Sequence, residues 1–62
     1  MINEQAYPKH CRRNIRKLTS RLCADADTVY SMMLMTAALM DLHPEDDEVA
    51  DMILMDCQVE VE

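Results

Sequence analysis

None of the 62 residues is glycine, and this absence narrows the possible folds more than any other feature of the chain. Two-residue hairpin turns rely on pairs such as Asn-Gly, because a left-handed backbone is least strained without a Cβ. Phosphate-cradling loops and dinucleotide fingerprints need glycine so that the backbone can approach the phosphate. Neither can be built here. Helices tolerate a glycine-free sequence and sheet-rich folds seldom do, so the expected class is all-α.

Length sets the second bound. Residues 1–62 are expected to form a single helical domain. A chain of 7.2 kDa exposes about 10,400 Å² when unfolded and about 4,100 Å² when folded. With roughly 60% of the difference apolar, burial stabilises by about 95 kcal/mol at ~25 cal/mol per Å². Ordering the chain costs about the same, at ~1.5 kcal/mol per residue. Small domains tip such a balance with disulfides, a metal or a second chain.

Disulfides do not suit this sequence. Its three cysteines, Cys11, Cys23 and Cys57, are an odd number without the spacing of a secreted framework. Cys11 and Cys23 belong to one predicted helix and stand about 18 Å apart, beyond bonding reach. Residues 1–4 lack the basic start of a secretory signal. The longest apolar stretch, residues 32–40, is interrupted by Thr36 and is too short to span a bilayer. A cytoplasmic location without membrane contact is the expectation.

Metal chemistry is not expected either. His10, Cys11, Cys23, His43 and Cys57 are of zinc-ligand type, but no Cys-x-x-Cys or paired spacing organises them. His10 and Cys11 lie about 100° apart on a helix, which argues against a shared ion. The run His43-Pro44-Glu45-Asp46-Asp47-Glu48 lacks the central glycine and ligand order of a calcium loop. The methionines lack a copper-ligand spacing. No cofactor is expected. Cys11 and Cys57 fall on apolar arcs where thiols are buried and inert, and three short helices enclose little space that excludes water. The chain is read as a non-enzyme.

Three helices are legible, at about residues 8–23, 28–42 and 45–58. Pro8 suits the first position of a helix, where its missing N–H goes unused. From there Cys11, Ile15, Leu18 and Leu22 fall within an arc of about 60°, while Lys9, Arg12, Arg13, Arg16, Lys17 and Arg21 spread over the opposite side. Asp25 or Asp27 is placed to cap the second helix. The polar residues of that helix, Ser31, Thr36 and Asp41, point in directions about 120° apart, so it has no polar face and must be covered all round. His43-Pro44 separates it from the third helix, whose first turn carries Glu45, Asp46, Asp47 and Glu48 at the positive end of the helix dipole. Val49, Ala50, Ile53 and Cys57 form one apolar band of the third helix, and Met52, Met55 and Val59 form a second. The expected architecture is a small three-helix unit (a helical hairpin plus an accessory helix) in a dimeric bundle. A homodimer interface over Met32, Met35, Leu39, Met52 and Met55 covers the second helix and adds the burial that one chain lacks.

Charge is segregated along the chain. Residues 1–23 hold all six basic residues and one acid, a net of +5; residues 24–62 hold eleven acids and no Lys or Arg, giving the chain its −6. Part of this is expected to cancel internally, a basic helix lying beside an acidic one. The rest points to a small acidic adaptor or inhibitor that docks on a larger protein of the kind that handles nucleic acid, as phage-type blockers of host machinery do. Electrostatic complementarity speeds such an encounter. The candidate docking acids are Glu45, Asp46, Asp47, Glu48 and Asp51. The alternative is a nucleic-acid-binding regulator that neutralises phosphates with Arg12, Arg13, Arg16 and Lys17. Against it stand the overall negative charge and the lack of aromatic residues for base stacking beyond Tyr7.

Overall fold

The computed structural model of the chain describes residues 6–57. Three α-helices follow one another, α1 (Arg12–Leu22), α2 (Ala26–Met40) and α3 (Asp47–Asp56), and the described residues contain no strand. A 3₁₀ turn, Lys9–Cys11, leads directly into α1. Each helix packs against both others, which makes this a closed three-helix unit rather than a hairpin with an accessory. The radius of gyration is 10.7 Å, close to the ~10.6 Å expected of a folded domain of this length. Among the described residues no helix is long and apolar enough to cross a membrane.

The core is drawn from one stripe of each helix. Cys11, Ile15 and Leu18 come from the seam of the first helical segment, and Leu22 is half-buried beside them. Ala26, Val29, Met33 and Ala37 line one side of α2; Val49, Ala50, Ile53 and Leu54 line one side of α3. Met33 is the one methionine of the described chain that is fully enclosed. Met32 and Leu42 pack at the margin.

The helix ends differ from the sequence expectation in instructive ways. Pro8 precedes the 3₁₀ turn, its carbonyl accepting the Cys11 N–H at 3.0 Å, and α1 proper begins only at Arg12. Asp25 does sit at the N-cap of α2, with an extended backbone, but its side chain makes no capping bond. α3 starts at Asp47 rather than at residue 45, because His43-Pro44-Glu45-Asp46 closes as a turn. The Asp46 N–H donates to the His43 carbonyl at 3.0 Å, and Pro44 holds the position where its fixed φ suits a turn.

With no glycine to supply left-handed backbone, other residues take those conformations. Cys23 (φ 53°) ends α1 and Asp41 (φ 57°) ends α2. At α2 the Leu42 N–H reaches the Ala37 carbonyl at 2.8 Å and the Asp41 N–H reaches Ala38 at 3.5 Å. This is the Schellman arrangement, completed by Leu42 packing back on the core. Asp tolerates the left-handed region better than Cys does, since its short polar side chain bonds locally. Cys23→Gly is therefore expected to raise stability by about 1 kcal/mol, read as a higher urea midpoint at unchanged slope.

Two polar devices tie the ends of the unit together. The Asn14 side chain is buried and its Nδ2 donates to the carbonyls of Pro44 at 3.0 Å and Asp46 at 2.9 Å. This fastens α1 to the turn ahead of α3. The Tyr7 hydroxyl donates to the Asp27 carboxylate, and the Tyr7 ring meets Tyr30 edge-on with centroids 5.1 Å apart. The hydrogen bond to Asp27, with lesser contributions from desolvation and the nearby carboxylate charges, pushes the Tyr7 phenol up to about 12.

Candidate interaction surface

Beyond Ser31 the outward side of α2 is apolar. Leu34, Met35, Ala38 and Leu39 are exposed there, roughly opposite the buried stripe on a helix of ~100° per residue. Leu39 is 81% exposed and Met35 67%. Met40 at the end of α2 and Met55 on α3 are exposed as well, Met55 at 77%. Within one chain the two neighbouring helices cover one stripe of α2 and leave the other to solvent.

Of the expected homodimer residues, Met35, Leu39 and Met55 stand exposed, while Met32 and Met52 are half-buried. Leu34 and Met40, absent from that expectation, extend the exposed set. The five exposed side chains amount to about three fully exposed ones. Covering them is worth about 5–9 kcal/mol per chain.

The five docking acids separate into two groups. Glu45 and Asp46 are half-buried in the turn ahead of α3. The Glu45 carboxylate lies 4.0 Å from His10 Nε2, and the Asp46 carboxylate accepts the His43 N–H at 3.2 Å. Asp47, Glu48 and Asp51 are exposed on α3. Asp51 pairs with Lys17 Nζ at 3.3 Å, an exposed pair worth about 0–1 kcal/mol. The outward side of α3 consequently presents Asp47, Glu48 and Asp51 together with Met55, and Asp56 is exposed at its end.

The basic residues of α1 are divided too. Arg13 and Arg16 are exposed, Arg12 is half-buried, and Lys17 is engaged by Asp51. The Nε of Arg12 is buried and has no hydrogen-bond partner among the described residues. An open cleft of about 450 Å³ lies along the end of α1, lined by Arg16, Thr19, Ser20, Cys23 and Ala24.

Two expectations about the cysteines are corrected. Cys57 is exposed, because α3 ends at Asp56 and the last member of its apolar band falls beyond the helix. Cys11 is buried as expected, and all three thiols are free. Burial, and then the Glu45 charge, push the Cys11 thiol up from its ordinary range. Moreover, His10 and Cys11 do converge on a common point. A ligand atom from each, together with one from Glu45, lies within 4.8 Å of the other two. The third donor arrives from the turn between α2 and α3, a juxtaposition that the spacing of His10 and Cys11 cannot reveal. Val59 of the second apolar band lies outside the described residues.

Compared with known protein families, with curated proteins and with solved structures, the chain matches none of them.

Proposed function

We propose that this chain is a non-catalytic protein-binding module that pairs with a second copy through the outward side of α2 and presents acidic α3 to a basic partner protein. The observation that carries the reading is the row of exposed apolar side chains Leu34, Met35 and Leu39 on a helix whose opposite stripe fills the core. In a symmetric pair both copies cover this row, about two fully exposed side chains each, so the gain is about 6–12 kcal/mol. That is of the same order as the about 4–15 kcal/mol that association costs. No charged residue interrupts residues 28–40, so a second α2 meets no unpaired charge there.

The acids suit a different neighbour. Asp47, Glu48 and Asp51 share the exposed side of α3 with Met55, so an apolar contact adjoins negative charge. A basic surface of a larger protein, such as the groove of one that handles nucleic acid, complements that arrangement and gains in encounter rate from the opposite charge. The chain then serves as an adaptor or inhibitor. The basic-helix alternative has less support, since Lys17 is engaged by Asp51 and Arg12 is half-buried, leaving fewer cations directed at solvent.

Sedimentation equilibrium of the wild-type chain and of Leu39→Lys tests the pairing. The wild type is expected to be dimeric at micromolar concentration, and the variant to dissociate at least about tenfold more readily. Its helicity should be unchanged, because Leu39 is exposed in the single chain. A wild type that stays monomeric at high concentration refutes the α2 interface. The acidic reading is tested by capture from native extract with and without nuclease, using wild type and an Asp47→Lys, Glu48→Lys double variant. A basic protein retained after nuclease and lost in the variant supports docking through α3. Recovery of nucleic acid with a steep salt dependence moves the function to α1 instead.

A further inference from the structure

We propose that His10, Cys11 and Glu45 form a three-ligand site for a divalent transition metal, with zinc the best match. Three observations carry it. An imidazole nitrogen, the Cys11 sulfur and a Glu45 carboxylate oxygen lie within 4.8 Å of one another. Tetrahedral zinc, with bonds of about 2.0–2.3 Å, sets its donors about 3.3–3.8 Å apart. His10 Nε2 and Glu45 Oε1 are already 4.0 Å apart, and closing the remaining gap takes side-chain rotation of about 1 Å. His10 is exposed and Glu45 is half-buried, so both have room to turn, while Cys11 is held in the core.

The second observation concerns the backbone that carries Glu45. Asn14 donates to the carbonyls on either side of it, those of Pro44 and Asp46. Asn14 stands three residues after Cys11, so the two side chains lie on neighbouring parts of the same helical surface. One buried amide therefore fixes the third ligand relative to the first two. Preorganisation of this kind separates a site from a chance meeting of side chains.

Third, the donor set is selective. Calcium and magnesium take oxygen ligands, whereas sulfur, nitrogen and oxygen together suit zinc and its first-row neighbours. On binding, the Cys11 thiol gives its proton to solvent as the metal–sulfur bond forms. A thiolate, a carboxylate and a neutral imidazole then carry two negative charges, which the divalent ion neutralises. Three protein ligands leave a fourth position for water. The ion cross-links the turn ahead of α1 to the turn ahead of α3, the same turn that Asn14 fastens to α1.

The test is titration of the reduced full chain with Co²⁺ and then Zn²⁺, followed by visible absorption and calorimetry. One ion per chain is expected, with a thiolate-to-cobalt charge-transfer band that zinc displaces. The band should persist in the Cys23→Ser, Cys57→Ser double variant, which removes both exposed thiols. Metal affinity should fall about 100-fold or more in His10→Gln and in Glu45→Gln, since even outer-shell partners are worth 10–100-fold. These two variants sit outside the core, so circular dichroism distinguishes lost binding from lost structure; Cys11→Ser, which replaces the sulfur by oxygen, should abolish the charge-transfer band. Absence of the band, or a band that disappears with Cys23 and Cys57, overturns the assignment.

Discussion

Ile15→Asp is expected to abolish folding at room temperature. Ile15 has no solvent exposure and sits in the seam of α1 with Cys11 and Leu18, within a core shared by all three helices. The substitution removes a branched aliphatic side chain, a loss of about 2–5 kcal/mol on truncation alone. It also puts a carboxyl group where no hydrogen-bond partner is provided, and the charged form costs several kcal/mol more. A domain of this length has a total stability of about 3–9 kcal/mol, so the loss exceeds the reserve. Far-ultraviolet circular dichroism should show a wild type that melts cooperatively and a variant with no transition. Ser20→Asp, exposed on the same helix, is the control and should shift stability by about 0.5 kcal/mol or less. An Ile15→Asp chain that melts like the wild type contradicts the packing of α1.

Asn14→Leu should be the most damaging change to a polar residue. Leucine keeps the branching and heavy-atom count of the side chain and removes both donors, leaving the Pro44 and Asp46 carbonyls without the partners now at 3.0 and 2.9 Å. An acceptor stranded in this way costs about 1–3 kcal/mol, so two cost about 2–6 kcal/mol. Urea unfolding followed by circular dichroism measures the loss directly. The same experiment on Thr19→Ala supplies the contrast, because the Thr19 hydroxyl bonds only within its own helix, to the Arg16 carbonyl at 3.1 Å. If Asn14→Leu proves as mild as Thr19→Ala, the turn ahead of α3 is not held by this amide.

The contrast between Asn14 and its neighbours explains what was readable beforehand. Cys11, Ile15 and Leu18 announce their burial by spacing, because a helix that packs on one side must place apolar residues three and four apart. Asn14 carries no such mark. It lies in a basic stretch that reads as solvent-facing, and its acceptors are 30 and 32 residues away. Glu45 was hidden for a related reason. Counted as the opening residue of a helix, it is one carboxylate among four; placed in a turn, it swings toward His10 and Cys11. Leu54 joins the core beside Ala50 and Ile53, a widening of the α3 stripe that the two-band reading of that helix passed over. For α2 the lack of a polar side was legible in the sequence. A helix without a polar side does need cover, but one chain of three helices supplies it on a single stripe, and Leu39 and Met35 remain in water.

The left-handed ends of α1 and α2 bear on how this sequence can change over generations. At Cys23 a nonglycine residue holds a conformation that glycine adopts without strain. One codon change there releases about 1 kcal/mol, a sizeable share of what so short a chain possesses. Such a position is a store of mutational tolerance. A lineage that takes it gains latitude to alter Met35, Leu39 or Met55 for a new neighbour, including substitutions that weaken the bundle. The left-handed helix ends and the exposed apolar residues are therefore coupled through stability, although they lie on different parts of the chain.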